Sequence, residues 1–287
     1  MPLPLALIVP LAAQIGPGGA LPQAPLEIHH RREARSAAAA EPAGAAEGRP
    51  EGRYAACLAL TQSDPPAAAA SALAWRAGLE GPMRAQAEHC RGVAEAAQGH
   101  WADAETAFSA AREATPADDH PLRARRAAMA ANAALASGAA QRALTLLDLA
   151  HTDALAGNRD DLTGEIAIDR ARALVALGRS EEASIALAEA RAKAPDNPQG
   201  WLLSATLARR QGKLAEAQPE IEMAAKLLPG DGEIGLEAGV IAVLGGRDAA
   251  ARQSWQSVIA AAPGSDAART AKSYLDQLGP PPPPSAP

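Results

Sequence analysis

Aromatic side chains are nearly absent from the chain: 287 residues include four Trp, two Tyr and one Phe. Apolar residues nevertheless make up 48% of the sequence, and alanine dominates them. Alanine buries little area per side chain, so a single conventional core is excluded. Stability must therefore come from close backbone approach repeated many times along the chain.

An excess of basic residues is also missing. The net charge is -6 and the isoelectric point is near 5.6. This balance excludes a basic nucleic-acid-binding surface as a property of the whole chain, although it leaves a local basic patch open.

The first 26 residues carry no charged side chain, and MPLPLALIVPLAAQ has the length of a signal-peptide apolar region. That run is too short to cross a bilayer. We predict a signal peptide over 1–20, cleaved after Ala13 or Ala20, and a periplasmic or otherwise exported protein. No Lys or Arg precedes the run, so a disordered cytoplasmic N-terminus and a misplaced start codon stay as alternatives.

Low-complexity segments flank the rest of the chain. Residues 21–50 combine Pro, Gly, Ala and mixed charge without apolar periodicity, which predicts a disordered leader. Residues 279–287 form a proline-rich tail. The folded part is therefore expected over 51–278.

A fixed period organises that folded part. The stretches GRSEEASIALAEARAKAP (178–195) and GKLAEAQPEIEMAAKLLP (212–229) both run from a Gly to a Pro, and a third such stretch starts at Gly246 and ends at Pro263. The three glycines are 34 residues apart, and so are the three prolines. A period of this length is typical of a solenoid.

The repeated residues resemble the tetratricopeptide repeat, whose pattern is W-x2-L-G-x2-Y, then A-x3-F, then P. The best copy is 198–231, in which Trp201, Gly212, Ala217, Ile221 and Pro229 are in register. The first copy is degenerate and is held mainly by Ala70, Ala74, Ala77 and Pro82. The resemblance implies an all-α, right-handed α-solenoid of about six helix pairs. The copies are 51–84, 85–118, 124–157, 164–197, 198–231 and 232–265, with a capping helix over 266–278.

This fold explains why so few positions repeat. Two antiparallel helices, A and B, approach closely only where small residues face each other, so alanine is required at the contacts while solvent-facing residues vary. Glycine ends helix A in a left-handed conformation, and proline stops helix B. Pro219 lies inside a B helix, where we expect a kink or a late helix start.

Catalytic, cofactor and metal signatures have ordinary explanations in this frame. GDGEIG (230–235) matches a dinucleotide-binding pattern by letters, but it follows a helix rather than a strand. No two His have the i, i+4 spacing of a helical metal site, and no acid, base and nucleophile converge. We therefore predict a protein that is not an enzyme, with no cofactor and no metal.

The two cysteines, Cys57 and Cys90, lie midway along the A helices of the first two copies. In an exported protein an even pair of cysteines favours one disulfide, whereas in the cytosol two buried thiols are the ordinary interpretation. We favour the disulfide, on the condition that the protein is exported.

The resemblance also implies a binding groove on the A helices, at places 2, 5, 9, 12 and 13 of each copy. A groove that combines five apolar residues with four arginines suits an extended peptide that carries acidic and apolar residues. Arg172, Arg209 and Arg210 are expected on neighbouring parts of one concave wall, unless they pair with Glu165 and Asp169. The groove residues are His89, Val93, Arg125, Asn132, Leu135, Glu165, Ile168, Arg172, Val175, Gln199, Leu202, Thr206, Arg209 and Arg210.

Two functions fit this sequence. The first is a non-catalytic adaptor or scaffold that binds a protein or peptide in its concave groove, in the bacterial cell envelope. The second is an assembly or regulatory subunit of an enzyme complex whose activity lies in a partner. Neither involves nucleic acid or an integral membrane span.

Overall fold

The computed structural model of the chain describes residues 50–280, so the predicted signal peptide and leader and most of the proline tail lie outside the described residues. Thirteen helices and no strand occur over 50–280. They fall into two compact units, α1–α8 up to Ala194 and α9–α13 from Pro195. The helices are α1 Pro50–Ser63, α2 Pro65–Trp75, α3 Gly81–Ala97, α4 Trp101–Glu113, α5 His120–Ala136, α6 Ala140–Ala156, α7 Asp160–Ala176, α8 Ser180–Lys193, α9 Pro198–Arg210, α10 Leu214–Leu227, α11 Gly232–Leu244, α12 Asp248–Ala261 and α13 Asp266–Leu278.

Within each unit a helix packs against the next helix and against the next but one. In the first unit α1 contacts α2 and α3, and α5 contacts α6 and α7; in the second, α11 contacts α12 and α13. Short turns join contacting neighbours, which makes each pair antiparallel. This nearest-neighbour pattern is that of a helical solenoid. The predicted all-α fold of tetratricopeptide helix pairs is confirmed.

Glycine ends five of the odd-numbered helices, as the sequence predicts. These glycines have φ between 70° and 79°, a left-handed conformation that side chains with a Cβ rarely adopt. Each turn lets the following even-numbered helix fold back on its partner. The five are Gly99, Gly138, Gly178, Gly212 and Gly246.

Each even-numbered helix up to α12 buries three residues at one spacing, which we call the packing triad. The first and second members are four residues apart, and the third follows three residues later. All eighteen side chains are at most 7% exposed. The triads are Ala68–Ala72–Trp75, Ala104–Phe108–Ala111, Ala143–Leu147–Ala150, Ala183–Leu187–Ala190, Ala217–Ile221–Ala224 and Ala251–Trp255–Val258.

The first triad corrects the sequence assignment. Ala70, Ala74 and Ala77, which were expected to hold the degenerate first copy together, are exposed. Helix α2 is so rich in alanine that two sets of residues fit the triad spacing. Packing selects the set that buries Trp75, the largest apolar side chain of the helix, so the buried triad of α2 lies two residues earlier than the set expected from the sequence.

The large central residues of two triads face a glycine on the partner helix. A Cβ placed on Gly92 would lie 2.5 Å from the ring of Phe108, and one placed on Gly239 would overlap the indole of Trp255. Both glycines precede the aromatic residue by 16 positions. Where the central residue is Leu or Ile, that place holds a buried alanine: Ala131, Ala171 and Ala205. The two sides of each pair therefore complement each other in volume.

Helix α10 shows that Pro219 does not delay helix formation. The helix starts at Leu214, five residues before the proline, so the expectation of a late start is wrong. Ala217 and Ile221, on either side of Pro219, are both buried in the packing triad. Burial of this face stabilises the helix enough to accommodate the missing amide donor.

The second unit ends in an amphipathic helix, α13. Ala268 and Ala271 are buried, and the rings of Tyr274 and Trp255 lie 5.2 Å apart between their centroids. Leu275 and Leu278 pack against the same cluster. The opposite face, with Lys272, Asp276 and Gln277, is exposed. Helix α13 therefore covers the apolar side of α12 with a polar outer surface.

Volume complementarity in the α3–α4 pair predicts the effect of a single methyl group. Gly92→Ala forces the Phe108 ring or the helix backbone to move, and we expect it to lower the free energy of unfolding by about 1–3 kcal/mol. Gly92→Ala combined with Phe108→Leu reproduces the Ala–Leu combination of the α5–α6 pair and should recover part of this loss. Urea denaturation followed by circular dichroism measures both effects.

The matched control for this prediction is Gly264→Ala, since a Cβ at Gly264 meets nothing within 4 Å. Its effect should stay within about 1 kcal/mol, in the stabilising direction if any. Equal destabilisation by the two substitutions would contradict the role of Gly92 in packing.

Candidate peptide-binding surface

Four of the predicted groove residues belong to the core. His89 and Val93 are each 7% exposed, Ile168 is 3% exposed and Leu202 is 2% exposed. Places 5 and 9 were transferred from the repeat pattern, which gives the direction of a side chain but not the depth at which neighbouring helices cover it. These four side chains are therefore not accessible to a partner in this structure, and their assignment to a groove stays a prediction.

Helix α1 covers two of these four residues. Tyr54 Oη is hydrogen-bonded to His89 Nδ1 at 2.8 Å, and the two ring centroids are 5.8 Å apart. Leu58 packs against the cluster that contains Val93 and Phe108. One turn of α1 thus occupies the surface that a partner would need.

The other ten predicted residues are half-buried on odd-numbered helices, six in the first unit and four in the second. They combine apolar, amide and charged groups, which is typical of a surface that binds by mixed contacts. In the first unit they are Arg125, Asn132, Leu135, Glu165, Arg172 and Val175, and in the second Gln199, Thr206, Arg209 and Arg210.

A polar network links α5 and α7 within the first unit. Asn132 Nδ2 donates to Asp169 Oδ2 at 2.9 Å, and Arg172 Nη1 donates to Asp169 Oδ1 at 2.6 Å. Arg172 and Asp169 are both only about 15% exposed. The alternative in which Arg172 pairs with Asp169 is therefore what the structure has.

The second unit has a comparable bridge between α9 and α11. Arg209 Nε donates to Glu237 Oε1 at 2.6 Å, and these side chains are 11% and 13% exposed. Because both partners are largely withdrawn from water, this pair is less screened by salt than a surface pair. The guanidinium of Arg209 is already neutralised by a carboxylate of the neighbouring helix.

The disulfide joins α1 to α3 at a position equivalent to that of the Asn132–Asp169 hydrogen bond between α5 and α7. Cys57 and Cys90 are bonded, with Cα atoms 6.2 Å apart. Cys57 and Asn132 each precede the central triad residue of their own pair by 15 positions, whereas Cys90 and Asp169 precede theirs by 18. One covalent and one polar link thus join successive odd-numbered helices at equivalent positions.

Sequence reasoning did not assign Tyr54, Asp169 or Glu237 to the surface set. Asp169 and Glu237 occupy the sixth place of their copies, which is not among the transferred groove places. Asp169 precedes Arg172 by three residues, so its pairing could be found from helical spacing. Glu237 lies 28 residues from Arg209, and only the packing of α9 on α11 brings the two together.

GDGEIG forms a junction between two helices. Gly230 has φ 80°, and the carboxylate of Asp231 accepts hydrogen bonds from the backbone amides of Glu233 and Ile234 at 2.9 Å. A Cβ on Gly232 would lie 2.7 Å from the Cβ of Ala267. Close packing and a helix cap therefore explain these residues, and the carboxylate of Asp231 occupies the amides that would otherwise face a phosphate.

Glu95, His100 and Asp103 are the described residues that come nearest to a metal site. Their ligand-type atoms lie within 4.8 Å of one another at the start of α4. His100 and Asp103 are exposed, and Glu95 Oε2 is 2.9 Å from His100 Nδ1. Asp103 lies in the first turn of α4, where a carboxylate complements the helix dipole. The His100–Glu95 contact and the favourable position of Asp103 at a helix N-terminus therefore account for this cluster.

Two carboxyl groups with a shifted pKa have the same kind of explanation. The guanidinium of Arg159 lowers the pKa of Asp161, and that of Arg179 lowers the pKa of Glu182. All four side chains lie at helix N-termini and are substantially exposed. These shifts reflect local ion pairs and do not mark a general acid or base.

The most buried ionic cluster joins α4, α5 and α6. Arg112 Nη2 donates to Asp153 Oδ2 at 2.7 Å, and Arg123 Nε is 3.7 Å from Asp153 Oδ1. Arg126, only 4% exposed, donates to the backbone oxygen of Ala111 and to the Thr115 hydroxyl. Burial lowers the pKa of Arg126. The cluster fixes the junction at which the 34-residue spacing is interrupted, which is a structural role.

Comparisons with known proteins agree with this architecture. A family model described as tetratricopeptide repeat matches residues 164–207. PilW, a type IV pilus biogenesis factor, has a TM-score of 0.60 at 16% identity, with 76% of this chain and 97% of that chain covered. The thermophilic protein TTC0263 of Thermus thermophilus has a TM-score of 0.52 at 21% identity, covering 66% and 97%. MamA of Desulfovibrio magneticus RS-1 has a TM-score of 0.51 at 15% identity, covering 63% and 97%.

At these identities the likeness to solved structures shows a shared fold. No curated protein matches the chain in sequence. The packing triads, the helix pairs and the family match define a repeat protein of the helical solenoid class. More specifically, residues 164–207 match the tetratricopeptide-repeat model, and the helix pairs of the chain are similar to those of tetratricopeptide-repeat proteins, which generally act as non-catalytic scaffolds for protein interactions. Over residues 50–280, no helix has the length and apolar character needed to cross a membrane.

The cluster around Asp153 predicts a large effect of one substitution. Asp153→Ala leaves the buried Arg112 with only the exposed Glu113 as its ionic partner and should lower the free energy of unfolding by about 3–5 kcal/mol. Glu105→Ala removes the partner of the exposed Arg142 and should cost about 1 kcal/mol or less. Chemical denaturation of the two variants tests the contrast, which fails if their losses are equal.

Proposed function

We propose that the protein is a non-catalytic adaptor that binds a protein or peptide partner on the surface of its odd-numbered helices, in the cell envelope. The observation that supports the proposal is the division of labour between helices. Even-numbered helices pack through their buried triads, whereas odd-numbered helices carry, besides the small residues that face these triads, the half-buried mixture of apolar, amide and charged side chains. Such a surface can hold an extended segment through many modest contacts.

Leu135 on α5 and Val175 on α7 occupy the same position of the repeat, and this position is the best candidate for the centre of the contact surface. Both residues precede the central residue of their packing triad by 12 positions, and α5 contacts α7. Arg125 and Glu165 also share one place on these helices. A partner with apolar residues and a charge of either sign would therefore find complementary groups along this side of the first unit.

The acidic character expected of the partner needs revision. Arg172 and Arg209 already pair with Asp169 and Glu237, so an incoming carboxylate must compete with a short, largely buried ion pair. We propose that apolar contacts supply most of the affinity and that the remaining charged groups orient the partner. Acidic groups contribute only where they do not displace these pairs.

The alternative is an assembly or regulatory subunit of an enzyme complex. Both functions use the same surface, but they differ in what the partner does after release. If the partner is an enzyme whose activity changes when this protein is removed, the alternative is correct. Unchanged activity of the isolated partner supports the adaptor.

We predict that Leu135→Asp together with Val175→Asp weakens capture of the native partner at least about tenfold, because two apolar contacts become desolvated carboxylates. Pull-down from the source organism with the full chain as bait measures the effect. The control is Ile185→Asp on α8, which changes a side chain that is 71% exposed and lies on an even-numbered helix. Circular dichroism should show equal helicity for all three proteins. Undiminished capture by the double variant would contradict the assignment of this surface.

We also propose export, supported by the uncharged N-terminal segment and by the Cys57–Cys90 disulfide, which oxidising compartments preserve. Cell fractionation should recover the chain outside the cytoplasm, with a new N-terminus after Ala13 or Ala20. Titration under denaturing conditions should then find no free thiol. A cytoplasmic chain with two titratable thiols would contradict this proposal.

A further inference from the structure

Helices α1 and α2 are held to the first unit from one side only. Among the described helices, α1 contacts α2 and α3, and no helix covers its other face. Ala55, Ala56 and Ala59 are exposed on that face, as are Ala70 and Leu73 of α2. A helix pair whose described neighbours lie on one side only is a part of a repeat array that opens more easily than a pair with neighbours on both sides.

The contact that holds this pair is small and centred on the disulfide. The buried cluster consists of Cys57, Ala72, Trp75, Ala87 and Cys90. Two of these five residues are alanines and two are the bonded cysteines, so Trp75 supplies the only large apolar side chain among the five. Tyr54, Leu58 and Leu79 pack against this cluster but are only partly buried, so the covalent link reinforces a modest apolar contact between α1 and the rest of the unit.

Two polar contacts support the same closed position. Tyr54 is hydrogen-bonded to His89, and Arg76 Nη1 lies 2.6 Å from Glu88 Oε1. Glu88 is fully buried and is also paired with Arg91 at 3.1 Å, so opening leaves it with one guanidinium and access to water. These contacts favour closure but do not prevent opening.

We propose that α1 and α2 form a redox latch: the Cys57–Cys90 disulfide keeps them closed over His89 and Val93, and its reduction uncovers these two residues for the partner. The latch rests on the proposed function in one respect: the partner of that function is what would contact His89 and Val93 once they are uncovered. It also accounts for the burial of two residues whose places in the repeat lie on the binding side.

Reduction is a two-electron thiol–disulfide exchange with a dithiol reductant. Cys57 and Cys90 are 5% and 0% exposed, so exchange takes place during a local opening of α1. A thiolate of the reductant then attacks one sulfur of the bond, which releases the other cysteine as a thiolate and forms a mixed disulfide. The second thiol of the reductant then attacks the mixed disulfide. The protein ends with two thiols and the reductant ends with one disulfide, so electrons and protons balance.

The first test is hydrogen exchange on the full chain, oxidised and after treatment with dithiothreitol. Removing a cross-link that closes a loop of this length raises the population of the opened state by on the order of 100-fold. Amides of residues 50–79 should therefore exchange on the order of 100-fold faster in the reduced protein, while those of 101–194 keep their protection.

The second test uses diethyl pyrocarbonate and mass spectrometry to follow the reactivity of two histidines. His89 should react slowly in the oxidised protein and at least about tenfold faster after reduction, because opening removes Tyr54 from its ring. His100 is exposed in both states and serves as the internal control. The double variant Cys57→Ser, Cys90→Ser should behave as the reduced protein does, without added dithiol.

Two outcomes would overturn the latch. If residues 50–79 and His89 stay protected after reduction, the remaining contacts keep α1 and α2 closed and the disulfide is not needed for closure. If protection is lost throughout 50–194, the disulfide stabilises the whole first unit rather than the closed position of α1 and α2. Neither measurement requires a partner, so failure of the latch is distinguishable from failure of the binding surface at Leu135 and Val175.

Discussion

Close approach of two helices through small residues is the interaction on which the rest of this structure depends. Burial of any one alanine side chain contributes little stabilising free energy. An alanine-rich chain is therefore stabilised by dense contacts that recur in every helix pair. Gly92 against Phe108 and Gly239 against Trp255 are the extreme cases, because any Cβ at these glycines would enter the ring. Where the opposing residue is aliphatic, an alanine such as Ala131 fills the same place.

This packing constrains what the other surface of each helix can do. The even-numbered helices hold the buried triads, and polar or covalent links add to the apolar contacts between odd-numbered helices. Asn132 with Asp169 and Cys57 with Cys90 are equivalent links of different strength. The disulfide joins the first described helix pair to α3, at a cluster in which Trp75 is the one large buried apolar side chain.

The period and the spacing of small residues were sufficient to predict the fold, because both follow directly from helix geometry and close packing. The depth to which a side chain is buried was not predictable from the sequence. Ile168 and Leu202 point toward the binding side but are covered by their neighbours, and alanine-rich α2 offered two equally spaced sets of which only Trp75 distinguishes one. Pairing with a nearby residue, as in Arg172 and Asp169, follows from helical spacing, whereas the pairing of Arg209 with Glu237 depends on stacking.

Stacking and recognition therefore draw on the same side chains. Asp169 accepts hydrogen bonds from Asn132 of the neighbouring helix and from Arg172 of its own, so a ligand that captured Arg172 would also weaken the link between α5 and α7. The loss of that link offsets the gain from the new ion pair. A partner that contacts Leu135 and Val175 leaves the network intact and retains its full contact energy. The architecture consequently favours partners that bind by apolar contact between the polar links.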